Sequence, residues 1–234
     1  MSQHPLDNPI WHALTSTQAD IAEGNALAKR YPLKFAPFAA MQSQTAEGFA
    51  ALAQALHPEG MAALFVTPLE PPPPGWAHVR SFEVVQMTCE KLEPTLEPEM
   101  IKLETRDVPE MLELIRLTSP GPFKDRANEL GKFYGVHATG SDRDGQLVAM
   151  AGERIRLTGF TEISAVCTHP DYQRRGLARG LTHRLSREIL DRDEVPFLHV
   201  FAGNSNAIRA YESLGFQKRQ VFTGVVIKAP EEQP

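Results

Sequence analysis

Residues 160–178 read FTEISAVCTHPDYQRRGLA, and the fold is decided here. The first half, rich in Ile, Val, Cys and Thr, has the β-branched character of a strand, and Pro170 after His169 ends it by removing a backbone donor. Order resumes at Gly176, because apolar residues at Leu177, Leu181, Leu185 and Ile189 mark one face of an amphipathic helix. Arg174 and Arg175 precede that helix and Arg179 lies in its first turn. The helix macrodipole already places partial positive charge there, so arginines are unfavourable unless an anion sits among them. Strand, basic glycine loop and helix N-terminus together make a phosphate-binding arrangement, with free backbone N–H groups facing the ligand.

The rest of the chain is acidic. The whole chain has 234 residues, enough for one large domain or two small ones, with 42% hydrophobic and 23% charged content and a formal charge of -5. That balance argues against a general nucleic-acid binder, so the basic cluster from Arg174 to Arg187 suits a small anionic ligand better than a polymer. Cys89 and Cys167 are too few and too far apart for a disulfide framework or a zinc site, and no metal is expected. No basic leader with an apolar core and no bilayer-length apolar run is present, so a soluble, cytoplasmic protein without membrane contact is expected, as monomer or homodimer.

Taken in order, Met1 to Asn8 reads as a loose leader and Pro9 to Leu56 as an alanine-rich segment with helical spacing, in which His12 and His57 stand alone. Met61 to Thr67 and Val79 to Thr88 read as strands on either side of Pro71 to Gly75, a stiff run that cannot join a ladder. The acidic, proline-punctuated stretch from Leu92 to Glu99 is the expected linker, giving domains at 1–95 and 96–234. Beyond it come a strand at 100–104, a helix capped by Asp107, a short helix near Arg126 to Leu130, and strands at 132–138 and 146–157 around the turn at Ser141 to Gly145. After the 160–178 stretch, 197–201 reads as a strand, 206–214 as a helix closed by Gly215, and 216–227 as one or two strands.

Two motifs then carry a resemblance. Gln173-Arg174-Arg175-Gly176-Leu177-Ala178 matches a Q/R-x-x-G-x-G/A loop. Asn204-Ser205-Asn206-Ala207-Ile208-Arg209-Ala210-Tyr211-Glu212-Ser213-Leu214-Gly215-Phe216 is very close to N-x-x-A-i-x-x-Y-e-x-l-G-F. In this order, residues 101–227 resemble the GNAT superfamily of acetyl-CoA-dependent N-acetyltransferases, most of all members with an extra N-terminal segment. The resemblance implies an α/β (α+β) fold with a mixed, mostly antiparallel sheet, preceded by a smaller α+β domain that is a degenerate companion half.

It also implies acetyl-CoA as co-substrate and a small-molecule or peptide amine as acceptor. Val166, Cys167 and Thr168 would line the pantetheine, and Gln173, Arg174, Arg175, Gly176, Leu177, Ala178 and Arg179 would surround the pyrophosphate. Asn204 and Ala207 would complete the cofactor site. The Val166 amide would face the oxyanion, and Tyr211 would protonate the departing thiolate. Glu162, four residues before Val166, is expected on the same strand face as the base, with Glu153 as second candidate. Cys167 also reads as a small buried hydrophobe, His169 as a structural residue before proline, and Tyr211 as a core residue beside Leu214. An amino-acid N-acyltransferase using a longer acyl-CoA and a non-catalytic acyl-CoA-binding regulatory module are the alternatives.

Overall fold

The computed structural model describes residues 4–56, 60–68, 70–140 and 143–230; Met1 to Gln3, His57, Ser141 and Asp142 lie outside them. The described chain forms α1 (Pro9–Leu14), β1 (Glu23–Gly24), β2 (Ala28–Arg30), β3 (Ala39–Met41), α2 (Ala46–Leu56), β4 (Met61–Val66), β5 (Ala77–Thr88) and β6 (Ile101–Leu103). It continues through α3 (Val108–Thr118), β7 (Phe133–His137), β8 (Leu147–Leu157), β9 (Phe160–Thr168), α4 (Leu177–Leu190), β10 (Val195–Phe201), α5 (Ser205–Glu212) and β11 (Gln217–Lys228). Eight strands build one sheet in the order β4-β11-β5-β10-β9-β8-β7-β6, and β1-β2-β3 form a small second sheet. All neighbours in the large sheet are antiparallel except β9 and β10. The expected mixed, mostly antiparallel α/β architecture is therefore present.

α4 and α5 cover one face. Leu181, Leu185 and Ile189, at the predicted spacing, are fully buried there with Ile163, Leu198 and Val200. Burying each such side chain stabilises the fold by roughly 1.5–3 kcal/mol. The opposite face is covered by α3, through Met111 and Leu114 against Cys167, and by the N-terminal segment, through Leu6, Ile10 and Phe38 against Phe65, Phe197 and Phe222.

Three expectations need correction. The leader is not loose from His4 onward: Leu6 is fully buried, Asp7 pairs with Arg219, and Asn8 donates to the Met41 carbonyl at 2.8 Å. The Asp107 carboxylate does not cap α3; it turns back and accepts from the Glu104 amide at 2.7 Å. Nor does backbone pairing stop at the expected linker. β5, from before it, lies between β10 and β11, from after it, and pairs with both. The 92–99 stretch itself packs as an extended strap on α4, where Pro98 Cδ lies 2.3 Å from where a Gly180 side chain would begin. Glu97 there meets His183 at 2.8 Å and also pairs with Arg184 and Arg187. Proline and acid thus serve helix packing here, where composition reads as tether.

Candidate active site

β9 and β10 part company early. Their parallel pairing covers Val195↔Phe160, Pro196↔Thr161 and Phe197↔Glu162, after which each continues alone on that side to Thr168 and to Phe201. The cause lies on the other edge of β9. Met150 faces Cys167 and Gly152 faces Ser164, so two residues of β9, Ala165 and Val166, stand against one of β8. Ala165 takes φ 53°, the left-handed turn of a bulge, and a bulge bends its strand and adds twist. The sheet opens there into a split, and among the described residues no strand lies beside the backbone edge of β9 beyond Glu162. Thr168 Oγ1 lies buried near the end of that edge without a hydrogen-bond partner.

Past the split, Pro170–Tyr172 makes a single 3-10 turn and Gly176 turns the chain into α4 with φ 79°. That conformation is open to glycine and strained for other residues, so Gly176 is required by backbone geometry. The amides of Leu177, Ala178 and Arg179 are the unpaired donors of the helix start. Gln173, Arg174, Arg175, Gly176 and Arg179 are all exposed around them. Arg175 stacks 4.5 Å from the Tyr172 ring centre and donates to the Asp171 carbonyl at 3.0 Å. A cavity of about 520 Å³ opens between Arg175, Gly176, Arg179 and the strap at Thr95 to Pro98.

Tyr211, on α5, is half-buried and packs on the same core face as Val166, Leu177 and Ala207. Desolvation first, and then the charge Cys167 carries once ionised, push its phenol up to about 12. Cys167 points the other way, into the α3 core, where burial raises its thiol to about 11. Asn204 caps α5, its Oδ1 accepting from the Ala207 amide at 3.1 Å, so that oxygen is already committed.

Glu162 departs from the expected placement. The bulge breaks the two-residue alternation: Ile163 and Val166 both face the α4 core, whereas Glu162 reaches to the opposite side. It is fully buried, gripped by Arg154 Nε and Nη2 at 2.8 Å each, and accepts from His199 Nδ1 at 2.8 Å. Desolvation would raise its pKa, but the Arg154 charge and the two sets of hydrogen bonds outweigh it and hold the carboxyl at about 2. Glu162 is thus an ionised carboxylate on the face opposite Val166, already engaged by Arg154 and His199. Glu153 is likewise buried and bonded to Arg192 at 3.0 Å.

Sequence reading passed over His199 and the chain of polar groups behind it. His199 Nε2 meets Gln86 Nε2 at 3.1 Å, Gln86 Oε1 accepts from Arg219 at 2.8 Å, and Arg219 pairs with Asp7. A histidine two residues from Phe197 in one strand is a signal of an inward position; its partner Glu162 is 37 residues away, which no local pattern reveals.

Among known proteins, the FR47-like protein family matches residues 141–223, the part holding the split and both motifs. The [Ribosomal protein bS18]-alanine N-acetyltransferase of Escherichia coli is 30% identical over 123 residues, covering 51% of this chain and 80% of that protein. N-alpha-acetyltransferase RimI of Mycobacterium tuberculosis is 38% identical over 89 residues, 35% of this chain and 52% of that one. The solved structure of a GNAT-family acetyltransferase from Novosphingobium aromaticivorans is 36% identical, with a TM-score of 0.88, and covers 98% of this chain and 100% of its own. That last likeness runs through the N-terminal segment as well as the split. Opened strand pair, glycine-turned basic loop and α5 tyrosine thus occur together in a chain whose whole length follows a GNAT structure, and the protein belongs to the GNAT family of N-acetyltransferases.

Proposed function

We propose that the protein transfers the acetyl group of acetyl-CoA to a primary amine by direct attack in a ternary complex. The observation that carries this reading is the free edge of β9 beyond Glu162, with Tyr211 packed on the same side of the sheet as Val166. An extended pantetheine arm suits such an edge as an added strand, and the orphaned Thr168 hydroxyl fits its polar amides. The amides at the start of α4, with Arg174, Arg175 and Arg179 around them, fit the pyrophosphate.

In this reading the amine nitrogen attacks the thioester carbon, and the Val166 N–H stabilises the negative oxygen that forms, a contribution on the order of 10²–10³-fold in rate. As the carbon–sulfur bond breaks, the sulfur takes the Tyr211 proton, and the proton lost by the amine restores the phenol. A phenol raised to about 12 stays protonated at neutral pH and is ready to donate. With Glu162 and Glu153 held in ion pairs, the amine enters as the free base. The names of the relatives point to a protein α-amine as the acceptor.

Two measurements test this. Acetyl-CoA should raise the melting temperature, with free CoA and longer acyl-CoAs as comparison arms; no shift with any of them overturns the cofactor assignment. Release of free CoA against a panel of amines then tests transfer.

A further inference from the structure

Resting on that reading, we infer that the acceptor is a peptide N-terminus that lays an apolar residue on Phe82 and Phe201 and an acidic residue two positions later on Arg80. Loop, α4 and Tyr211 assign the cofactor to one side of the split, which leaves the other side for the amine. On that other side β10 presents Phe197, His199 and Phe201 in alternation. Phe197 and His199 are enclosed, whereas Phe201, the last residue of the strand, is 46% exposed. Its ring meets Phe82 of β5 edge-on at 5.4 Å between centres.

Phe82 lies where it does because its neighbour in β11 is Gly224. A side chain there would begin 2.2 Å from the Phe82 ring and lift it away. The Arg80 guanidinium stands 5.6 Å from the centre of that ring. Arg80 is exposed and, among the described residues, no carboxylate pairs with it, although the chain carries 29 acidic against 24 basic residues. An aromatic pair and a cation without a carboxylate partner therefore stand in a row leading from the open end of the split. Phe82 and Arg80 are two strand residues apart, about 6.6 Å, which is also the two-residue repeat of an extended peptide. Such a peptide sets alternate side chains on the ring pair and on the cation while its amine enters the split.

The test uses four peptides with free N-termini and C-terminal fluorescent labels: Ala-Phe-Ala-Glu, Ala-Phe-Ala-Lys, Ala-Gly-Ala-Glu and Ala-Gly-Ala-Lys. The native chain should favour the Glu over the Lys peptide by about tenfold in kcat/KM, the ratio shrinking in 1 M salt as exposed charges are screened. Arg80→Glu should invert the ratio, and Phe201→Ala should raise KM for the Phe peptides towards that of the Gly peptides. Equal use of all four by the native chain, or an unchanged Glu-to-Lys ratio in Arg80→Glu, overturns the inference. Anisotropy of the labelled peptides in the presence of CoA reads the same preferences without turnover. The Glu-over-Lys ratio in binding with no CoA release would sink the transfer reading and keep the surface; CoA release with simple amines and no peptide preference would do the reverse.

Discussion

At Glu162, burial alone would favour the neutral acid, and Arg154 with His199 reverses that preference. Its folded pKa of about 2 lies below the ordinary 4.5, so the stability it contributes is present above pH 4.5 and is lost as pH falls towards 2. Glu188, bonded to Lys132, Arg184 and Tyr134 and also held near 2, adds to the same window with the same sign. Acid titration followed by circular dichroism should show unfolding begin below about pH 4.5. Glu162→Gln should flatten part of that dependence while lowering stability at neutral pH by about 3–5 kcal/mol, because Arg154 is left buried without its anion. Tyr211→Phe should behave differently, dropping kcat by roughly 10²–10⁴-fold with the acetyl-CoA melting shift retained. With Glu162 and Glu153 held in ion pairs, kcat/KM should climb tenfold per pH unit up to the acceptor's own pKa, about 8 for an α-amine. A plateau near neutrality would reveal an enzyme base instead.

The 160–178 stretch was legible as strand, loop and helix because each signal in it is local: β-branched residues, a proline, a glycine, and apolar residues one helical turn apart. Order resumes at Gly176 as expected, and there the chain turns into α4 with φ 79°. Gly176→Val should strain that turn by about 1–2 kcal/mol and weaken acetyl-CoA tenfold or more, read as a lost melting shift. The bulge was not legible. Its left-handed residue is Ala165, not glycine, and the register that creates it belongs to β8 as much as β9. One unmarked residue therefore sent Glu162 to the wrong face of the predicted strand. The aromatic and cationic row on β5 was hidden for a similar reason, since Phe82 and Phe201 meet only once β5 and β10 are paired. Asn204, expected as a cofactor contact, makes a local capping bond at the start of α5, which the spacing of its motif did not show.

Across the whole molecule, strand propensity named β4 and β5 correctly but could not say which strands flank them, because alternation reports faces and not neighbours. Expressed separately, residues 96–234 would carry β10 and β11 with their β5-facing edges bare. That fragment should aggregate on size-exclusion chromatography, and co-expression with residues 1–95 should restore a discrete species; a monodisperse, folded 96–234 would show that the sheet closes without β5. The position of β5 also sets the order in which the protein can be born. Its Val84 to Met87 core leaves the ribosome before β6 to β9, whereas both partner strands come after them, and the Arg219–Gln86 bond alone closes a separation of 133 residues. Until then β5 is an apolar ribbon with two open edges, a template for pairing with other chains. Topologies of such long closure fold slowly, so those edges stay open until β10 and β11 have followed.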